Sequence, residues 1–336
     1  VRAIVVRETG GPEVLRPATV PDPTPPAGHL LVAVEAAGVN FVDVYRRSGA
    51  YPGPLPYVPG QEAAGTVVAR GAGVSAGPAV GDRVAWANEP GTYADLAVVP
   101  ADRAVPLPAA VSCAGAAAVL LQGMTAHYLT HDTYPVRPGD TVLVHAAAGG
   151  TGMLVTQWVN RRGGRVVGTV SSAAKAAVAE AAGAAHVLRV DRDDIAAAVR
   201  AYTGGVGVAA VYDGVGAPTF DASLDSLRPR GTLALFGQAG GRVPPVDLQR
   251  LNAAGSVYVT RPNLDHHIAT PGELVRRATE VLDAVAAGHL VAHIGGSFPL
   301  ERAAAAHRAL ESRASTGKLL LTTDHPASVQ TNGEHP

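Results

Sequence analysis

A chain of 336 residues has room for about two domains and buries roughly three quarters of its unfolded surface, so it needs no staples to fold. Its formal net charge of −1, without a lysine or arginine cluster, argues against nucleic acid or an anionic membrane as the main partner. A single cysteine, Cys113, rules out an intramolecular disulfide and fits a reducing compartment. No uncharged, strongly apolar stretch of about 20 residues is present and no signal peptide is expected before the first strand, so the expected location is the cytoplasm.

In chain order, residues 2–7 predict a strand, followed by the turn Gly10-Gly11-Pro12 and a proline-rich connection over residues 21–26 that cannot be helical. Residues 29–37 and 65–69 alternate apolar and polar side chains as half-buried strands do. Gly81-Asp82 turns into another strand, and residues 92–99 follow it. Short strands with glycine and proline punctuation indicate a compact, barrel-like all-β unit. Residues 114–130 then predict a helix.

The texture changes after that helix. Apolar strand-like runs recur at 141–144, 165–170, 186–190, 208–212, 232–236 and 256–260, with alanine-rich helical segments at 173–182, 193–202 and 219–227. Six strands joined by crossover helices read as a doubly wound parallel sheet of the Rossmann type, an α/β architecture. Beyond it, residues 273–287 form a well-patterned helix with Pro271 near its start and Gly288 just past its end. A helix over 301–313 and a strand over 318–323 do not belong to a sheet already complete, and are expected to return to the first domain. Residues 324–336 are polar and predict a disordered tail.

The chemistry concentrates after the first strand of the sheet, in Ala147-Ala148-Gly149-Gly150-Thr151-Gly152. This is the dinucleotide fingerprint with alanine at its first glycine position: Ala147 is expected to start the tight turn, Gly149 to let a pyrophosphate approach the backbone, and Gly152 to let helix and strand pack. The helix amino terminus presents N–H groups to the phosphates. A sheet that binds NAD ends its second strand with an acid on the ribose 2'-hydroxyl, whereas a 2'-phosphate needs neutral donors and a cation. Here that strand runs into Ser171-Ser172, with Lys175 one helical turn on, so NADPH is the expected cofactor. The plainer alternative makes the serine a helix N-cap and Lys175 a solvated charge; both hold together, because a capping serine leaves N–H groups for a phosphate.

Three collinear segments carry a resemblance: Asn40-Phe41-Val42-Asp43-Val44-Tyr45-Arg46-Arg47-Ser48-Gly49-Ala50-Tyr51-Pro52, Pro59-Gly60-Gln61-Glu62-Ala63-Ala64-Gly65 and Val144-His145-Ala146-Ala147-Ala148-Gly149-Gly150. With Val211-Tyr212-Asp213, Phe236-Gly237, Tyr258-Val259-Thr260-Arg261-Pro262 and Leu310-Glu311-Ser312-Arg313, the chain over residues 1–323 resembles the NADPH:quinone oxidoreductase family of the medium-chain dehydrogenase/reductase superfamily, alongside zeta-crystallin. The resemblance implies a discontinuous GroES-like β-barrel catalytic domain, residues 1–124 and 264–323, and a Rossmann NADPH-binding domain, residues 125–263. It also implies a homodimer through the outermost strand, residues 256–260.

Carried over position by position, the family places Asn40, Phe41, Val42 and Asp43 at the nicotinamide end of NADPH, with Thr125 and Tyr128 beside it. Gly149, Gly150, Thr151 and Gly152 would cradle the pyrophosphate, and Ser171, Ser172 and Lys175 the adenosine phosphate. The loops bearing Val215, Gly237 to Gly240 (with Gln238 and Ala239) and Arg261, Pro262 and Asn263 would close over the cofactor, with Arg313 as a further contact. Val190 stands where relatives commonly place a tyrosine against the adenosine phosphate, which softens the expected preference for NADPH over NADH; Thr151 replaces a valine.

Zinc-dependent members of the superfamily need Cys, His and Cys or Glu as ligands. One cysteine, and Gln61 in place of the histidine of their Gly-His-Glu motif, predict no metal. Without a Lewis acid the chemistry moves towards hydride delivery to electron-poor acceptors, quinones or conjugated enones. Tyr45 and Tyr51 are the candidate catalytic hydroxyls for an acceptor oxygen, or else apolar wall. Cys113 reads as packing, His145 as orienting the turn, and Asp213 as fixing a strand-end turn. Three functions remain in view: a quinone reductase, an enoyl or enone reductase acting on a thioester or secondary metabolite, and a low-turnover NADPH-binding structural or RNA-binding protein. The last lacks a basic or aromatic patch, aromatics being 4% of residues.

Overall fold

In the computed structural model, which describes residues 1–323, the chain divides into two compact units. The first comprises residues 1–121, 278–286 and the described residues from 294 onward; the second comprises 122–277 and 287–293. The tail expected at 324–336 lies outside the described residues.

The first unit opens with β1 (Arg2–Val5) paired antiparallel to β2 (Arg16–Thr19). β3 (His29–Val39) is its spine, 11 residues long, and leads into the short helix α1 (Phe41–Arg47). β4 (Glu62–Arg70), β5 (Arg83–Ala87), β6 (Leu96–Pro100) and β7 (Val105–Pro106) follow. β3 pairs antiparallel with both β4 and β6. Inward residues of these strands, among them Val32, Val34, Val67, Val84, Trp86 and Val99, make one apolar core. The strand expected over 92–99 begins only at Leu96. Before it, the backbone of Tyr93 bonds to Pro59 and Ile4 instead, tying this stretch to β1. β2 and β7 were not legible, one carrying an exposed proline mid-strand and the other spanning two residues.

Helix α2 (Cys113–Tyr128) contains the boundary between the units and runs on into a π-helical turn, Leu129–Thr133. The second unit then alternates β8 (Thr141–Val144), α3 (Gly150–Arg161), β9 (Arg165–Val170), α4 (Ala173–Ala181), β10 (His186–Arg189), α5 (Ile195–Tyr202), β11 (Val208–Asp213), α6 (Phe220–Ser226), β12 (Leu227–Leu235), α7 (Gln249–Ala253) and β13 (Tyr258–Thr260). Its six strands are all parallel, in the order β10-β9-β8-β11-β12-β13. The chain runs outward from β8 in one direction and from β11 in the other, so the order reverses between those two strands, where α/β sheets bind ligands. The fold class expected from sequence is the fold observed.

Helix α8 (Pro271–Ala286) crosses from the second unit into the first, its residues 271–277 grouping with one and 278–286 with the other. β14 (Ile294–Pro299), α9 (Ala303–Glu311) and β15 (Lys318–Thr322) complete the first unit, β15 pairing antiparallel with β3 and parallel with β14. The carboxyl-terminal elements thus return to the first sheet.

Candidate active site

At the switch point, β8 ends at Val144 and the chain turns through residues 145–149 into α3. The left-handed residue of the turn is Ala146, φ 51°, rather than Ala147, which is buried and hydrogen-bonds to the Thr169 carbonyl. Gly149 is the N-cap of α3 and no side chain caps the helix, so its first N–H groups are open to an anion. Gly152 cannot be replaced: a Cβ there would lie 2.4 Å from the Ala146 carbonyl oxygen. These residues fit a pyrophosphate. β9 runs into Ser171, which is exposed, and Ser172, which caps α4 by accepting from the Lys175 N–H at 3.4 Å. Val190 is 46% exposed.

Beneath the turn lies a polar chain that sequence reasoning only half saw. His145 is buried; its Nδ1 stands 3.0 Å from Thr169 Oγ1 on β9 and its Nε2 3.0 Å from Ser223 Oγ on α6. Ser223 in turn donates to Asp213 Oδ2 at 2.9 Å. Asp213 also accepts from Thr219 Oγ1 and from the N–H groups of Val215 and Gly216. The single hydroxyl hydrogen of Ser223 is spent on the carboxylate, so its oxygen accepts from His145. The imidazole is therefore the Nε2–H tautomer, with Nδ1 accepting from Thr169. Burial keeps it neutral, depressing its pKa below the usual histidine value. Directly to β9, and through Ser223 to β11, the His145 side chain thus ties together the carboxyl ends of β8, β9 and β11.

The loops after β11 and β12 are also joined. Ala239 and Gly240 N–H groups bond to the Gly214 and Val215 carbonyls, bringing Val215 and the Gly237–Gly240 segment together. Arg261 bonds through Nη1 to the Pro262 carbonyl, and Asn263 caps the following turn by accepting from Asp265. Thr125 is buried. Tyr128 is buried too and stacks on His267, centroids 4.1 Å apart, with burial raising its phenol pKa. Arg313, in the first unit, is exposed with φ 57°.

In the first unit, Asn40 caps α1 and forms a capping box with Asp43: the Asn40 N–H donates to Asp43 Oδ2 at 2.9 Å. Asp43 faces inward, accepts from the Tyr93 hydroxyl at 3.0 Å, and is pushed up by burial to about 7. Tyr93 meets His307 Nε2 at 3.1 Å, and burial holds that imidazole down at about 3. The Asn40 side chain joins a second network, with Lys318 Nζ 2.8 Å from its Oδ1 and Glu62 Oε2 3.1 Å from its Nδ2; Lys318 and Glu62, both buried, pair at 2.5 Å. Phe41, Tyr45 and Tyr51 form a chain of rings, Phe41 to Tyr45 at 6.1 Å and Tyr45 to Tyr51 at 5.2 Å. Tyr93, His307, Lys318 and Ser223 escaped sequence reasoning, because nothing local marks them.

Two family models match the chain: an alcohol dehydrogenase GroES-like domain over residues 26–109 and a zinc-binding dehydrogenase over 150–267. The chain is 42% identical to quinone oxidoreductase 1 of Escherichia coli over 93% of its own length and 96% of that protein's. It is 39% identical to a 2-haloacrylate reductase of Burkholderia sp. over 96% and 98%. A mycobacterial protein solved in complex with NADPH is 52% identical and superimposes with a TM-score of 0.94, covering 96% of this chain and 100% of that one. Fold and turn together define a medium-chain dehydrogenase/reductase. Within that class the chain belongs to the quinone oxidoreductase family.

The zinc in the second family description finds no fitting donors here. Among the described residues no three His, Cys, Asp or Glu side chains group as a metal site. Cys113 is buried in α2 with its thiol pushed up by burial to about 12. The Gln61 amide, with its oxygen turned towards Arg46, lies 2.9 Å from the guanidinium Nε.

Proposed function

We propose that this protein is an NADPH-dependent oxidoreductase that reduces quinone-type acceptors without a metal. The observation that carries this reading is the uncapped glycine turn at the reversal of a parallel sheet whose second strand runs into two serines instead of an acid. The quinone oxidoreductases among its relatives, and the NADPH held by its mycobacterial neighbour, support it.

Bound NADPH supplies the hydride, and a proton from solvent or from a tyrosine completes reduction of the quinone to the hydroquinone. The protein binds and orients. Gly149 to Gly152 hold the pyrophosphate; Ser171, Ser172 and Lys175 hold the 2'-phosphate; the loops with Val215, Gly237 to Gly240 and Arg261 to Asn263 close over the cofactor, and Arg313 is a further contact. Thr125, Tyr128 and the backbone around Asn40 to Asp43 serve the nicotinamide, the Asp43 carboxylate itself being turned inward. Tyr45 and Tyr51 serve the acceptor. In this assignment residues 1–124 and 264–323 act on the substrate and 125–263 on the cofactor. β13 is the outer strand of its sheet, with Tyr258 63% exposed, and is proposed to pair with a second copy. No helix of the described residues is long and apolar enough to cross a membrane, and a cytoplasmic site of action is proposed.

The test is the fall of NADPH absorbance with 1,4-benzoquinone, then with an enoyl thioester, each repeated with NADH. Consumption of NADPH with benzoquinone is expected. Failure to retain NADPH in equilibrium dialysis would sink the reading.

A further inference from the structure

The inner face of α1 carries a carboxyl group built to hold a hydrogen. Asp43 is 1% exposed. Its Oδ2 accepts twice, from the Asn40 N–H at 2.9 Å and from the Tyr93 hydroxyl at 3.0 Å, while its Oδ1 is buried without a protein partner. Tyr93 spends its one hydroxyl hydrogen on Oδ2, so the phenol oxygen takes the Nε2–H of His307, 3.1 Å away; burial keeps that imidazole neutral, and it brings no cation to the chain. The charges that face Asp43 are Lys318 and Glu62, which pair with each other at 2.5 Å and so nearly cancel. Arg47, one helical turn on, is spent on Glu311 at 2.7 and 3.1 Å. The Tyr57 hydroxyl, also buried without a protein partner, feels Asp43 and both arginines of α1. A buried carboxylate oxygen without a donor is costly, so the hydrogen belongs on Oδ1.

We propose that Asp43 compensates the charge of the nicotinamide, being protonated while NADPH is bound and ionised while NADP⁺ is bound. The proposal rests on the assignment of the Asn40–Asp43 backbone to the nicotinamide end, and deepens it. The reduced ring is neutral and the oxidised ring carries one positive charge, so hydride transfer creates a cation beside α1. In a low dielectric an opposite charge nearby favours the ionised form of a carboxyl group. The balance closes. NADPH gives up hydride and becomes NADP⁺, the quinone accepts the hydride with its electron pair, the Asp43 O–H bond breaks, and that proton completes the hydroquinone through water. Quinone and hydroquinone are both neutral, so the charge gained by the ring is matched by the charge gained by Asp43. When NADP⁺ departs, Asp43 takes a proton back from water. Burial already brings this carboxyl to about 7, so a modest field moves it across neutral pH. With its carboxyl turned inward, Asp43 acts on the ring through the field and not by contact, and Tyr93 is its positioning residue.

The experiment is isothermal titration calorimetry of wild type, Asp43→Asn and Tyr93→Phe with NADP⁺ and with NADPH at pH 7, in buffers of different ionisation enthalpy, which counts the protons exchanged on binding. The 2'-phosphate of the nucleotide contributes equally to both counts, so their difference isolates the protein's share. NADP⁺ is expected to release about half a proton more than NADPH, and its affinity relative to NADPH to rise on the order of tenfold between pH 6 and pH 8. Asp43→Asn should abolish both the difference and the slope. Tyr93→Phe keeps the ring but takes one donor from the carboxylate, so the window should move to higher pH; this arm carries the test if the asparagine variant does not fold. A carboxyl with a structural role alone would leave the two counts equal. Equal counts in wild type, or a difference that survives in Asp43→Asn, overturns the proposal. Retention of neither nucleotide ends the reductase reading and the proposal together, whereas retention of both with equal counts ends the proposal alone.

Discussion

Two of the buried polar networks among the described residues, one around His145 and one around Asp43, are built on different principles. Around His145 every hydrogen and every acceptor is matched: Thr169, His145, Ser223 and Asp213 form a chain in which the tautomer is dictated and each partner stands about 3 Å away. Around Asp43 the accounting does not close. Asp43 Oδ1, His307 Nδ1, Tyr57 Oη, Arg47 Nε and Thr92 Oγ1 are all buried without a protein partner. A closed network behaves as a strut, because any displacement leaves an unpaired group in a low dielectric. An open one holds water or exchanges protons, since each orphaned atom otherwise costs about 1–3 kcal/mol. The strut lies beneath the phosphate turn, where geometry must not vary. The open network lies behind α1, the helix that carries Phe41, Tyr45 and Arg46.

The largest expected effect falls on the ion pair in the first unit. Lys318→Met leaves Glu62 charged, wholly buried and without its ammonium, and is expected to cost about 3–5 kcal/mol in urea unfolding. A double variant, Glu62→Leu with Lys318→Met, should recover much of that loss. If Lys318→Met is as stable as wild type, the pair is not sealed from water as described.

Asp43 is expected to show itself through pH. Its carboxyl is raised from 3.8 to about 7 in the folded chain by burial. The unfolded chain therefore releases this proton first, and the contribution of Asp43 to stability falls as pH rises from about 4 to about 7, then levels. His307, held down at about 3 by burial, acts in the opposite sense, adding stability as pH climbs from about 3 to 6.5. The two are separated by subtraction: unfolding free energies of Asp43→Asn and wild type, measured between pH 4 and 8, should diverge across the Asp43 window. Parallel curves would mean that the carboxyl titrates normally.

How much of this was legible depended on sequence distance. The six-stranded sheet was readable because each buried parallel strand is a continuous apolar run, and the phosphate turn because its glycines are contiguous. β14, Ile-Gly-Gly-Ser-Phe-Pro, was not: two glycines and little buried surface leave no alternation to read. Nor was the Asp43 network, whose hydroxyl partner is 50 residues away and whose imidazole is a further 214. The role of His145 could be guessed from its place at a strand end. Ser223 could not, since it is 78 residues distant, uncharged and embedded in a helix without any motif. Gln61 was readable as a lost metal ligand, but its contact with Arg46 was not, because α1 and the start of β4 meet only in the folded chain.

The strut is tested by Ser223→Ala, which strands the His145 Nε2–H and removes one donor from Asp213. A buried donor left unpaired costs about 1–3 kcal/mol, and part of that cost should appear as a several-fold higher KM for NADPH with kcat at saturation little changed. Nitrogen-15 NMR of the imidazole reads the same network without any cofactor: an Nε2–H signal in wild type, and a mixture of tautomers in the variant.

The smallest expected effect belongs to Tyr51. It is 37% exposed and its ring lies against Tyr45, so removing the hydroxyl leaves packing intact. Tyr51→Phe should lower turnover on an enone by about tenfold while NADPH affinity stays unchanged, because the lost group acts on the acceptor oxygen and not on the cofactor. Benzoquinone, which takes its proton readily from solvent, should feel the change less. An unchanged turnover number on the enone would make Tyr51 part of the apolar wall, leaving Tyr45 as the remaining candidate among the two hydroxyls.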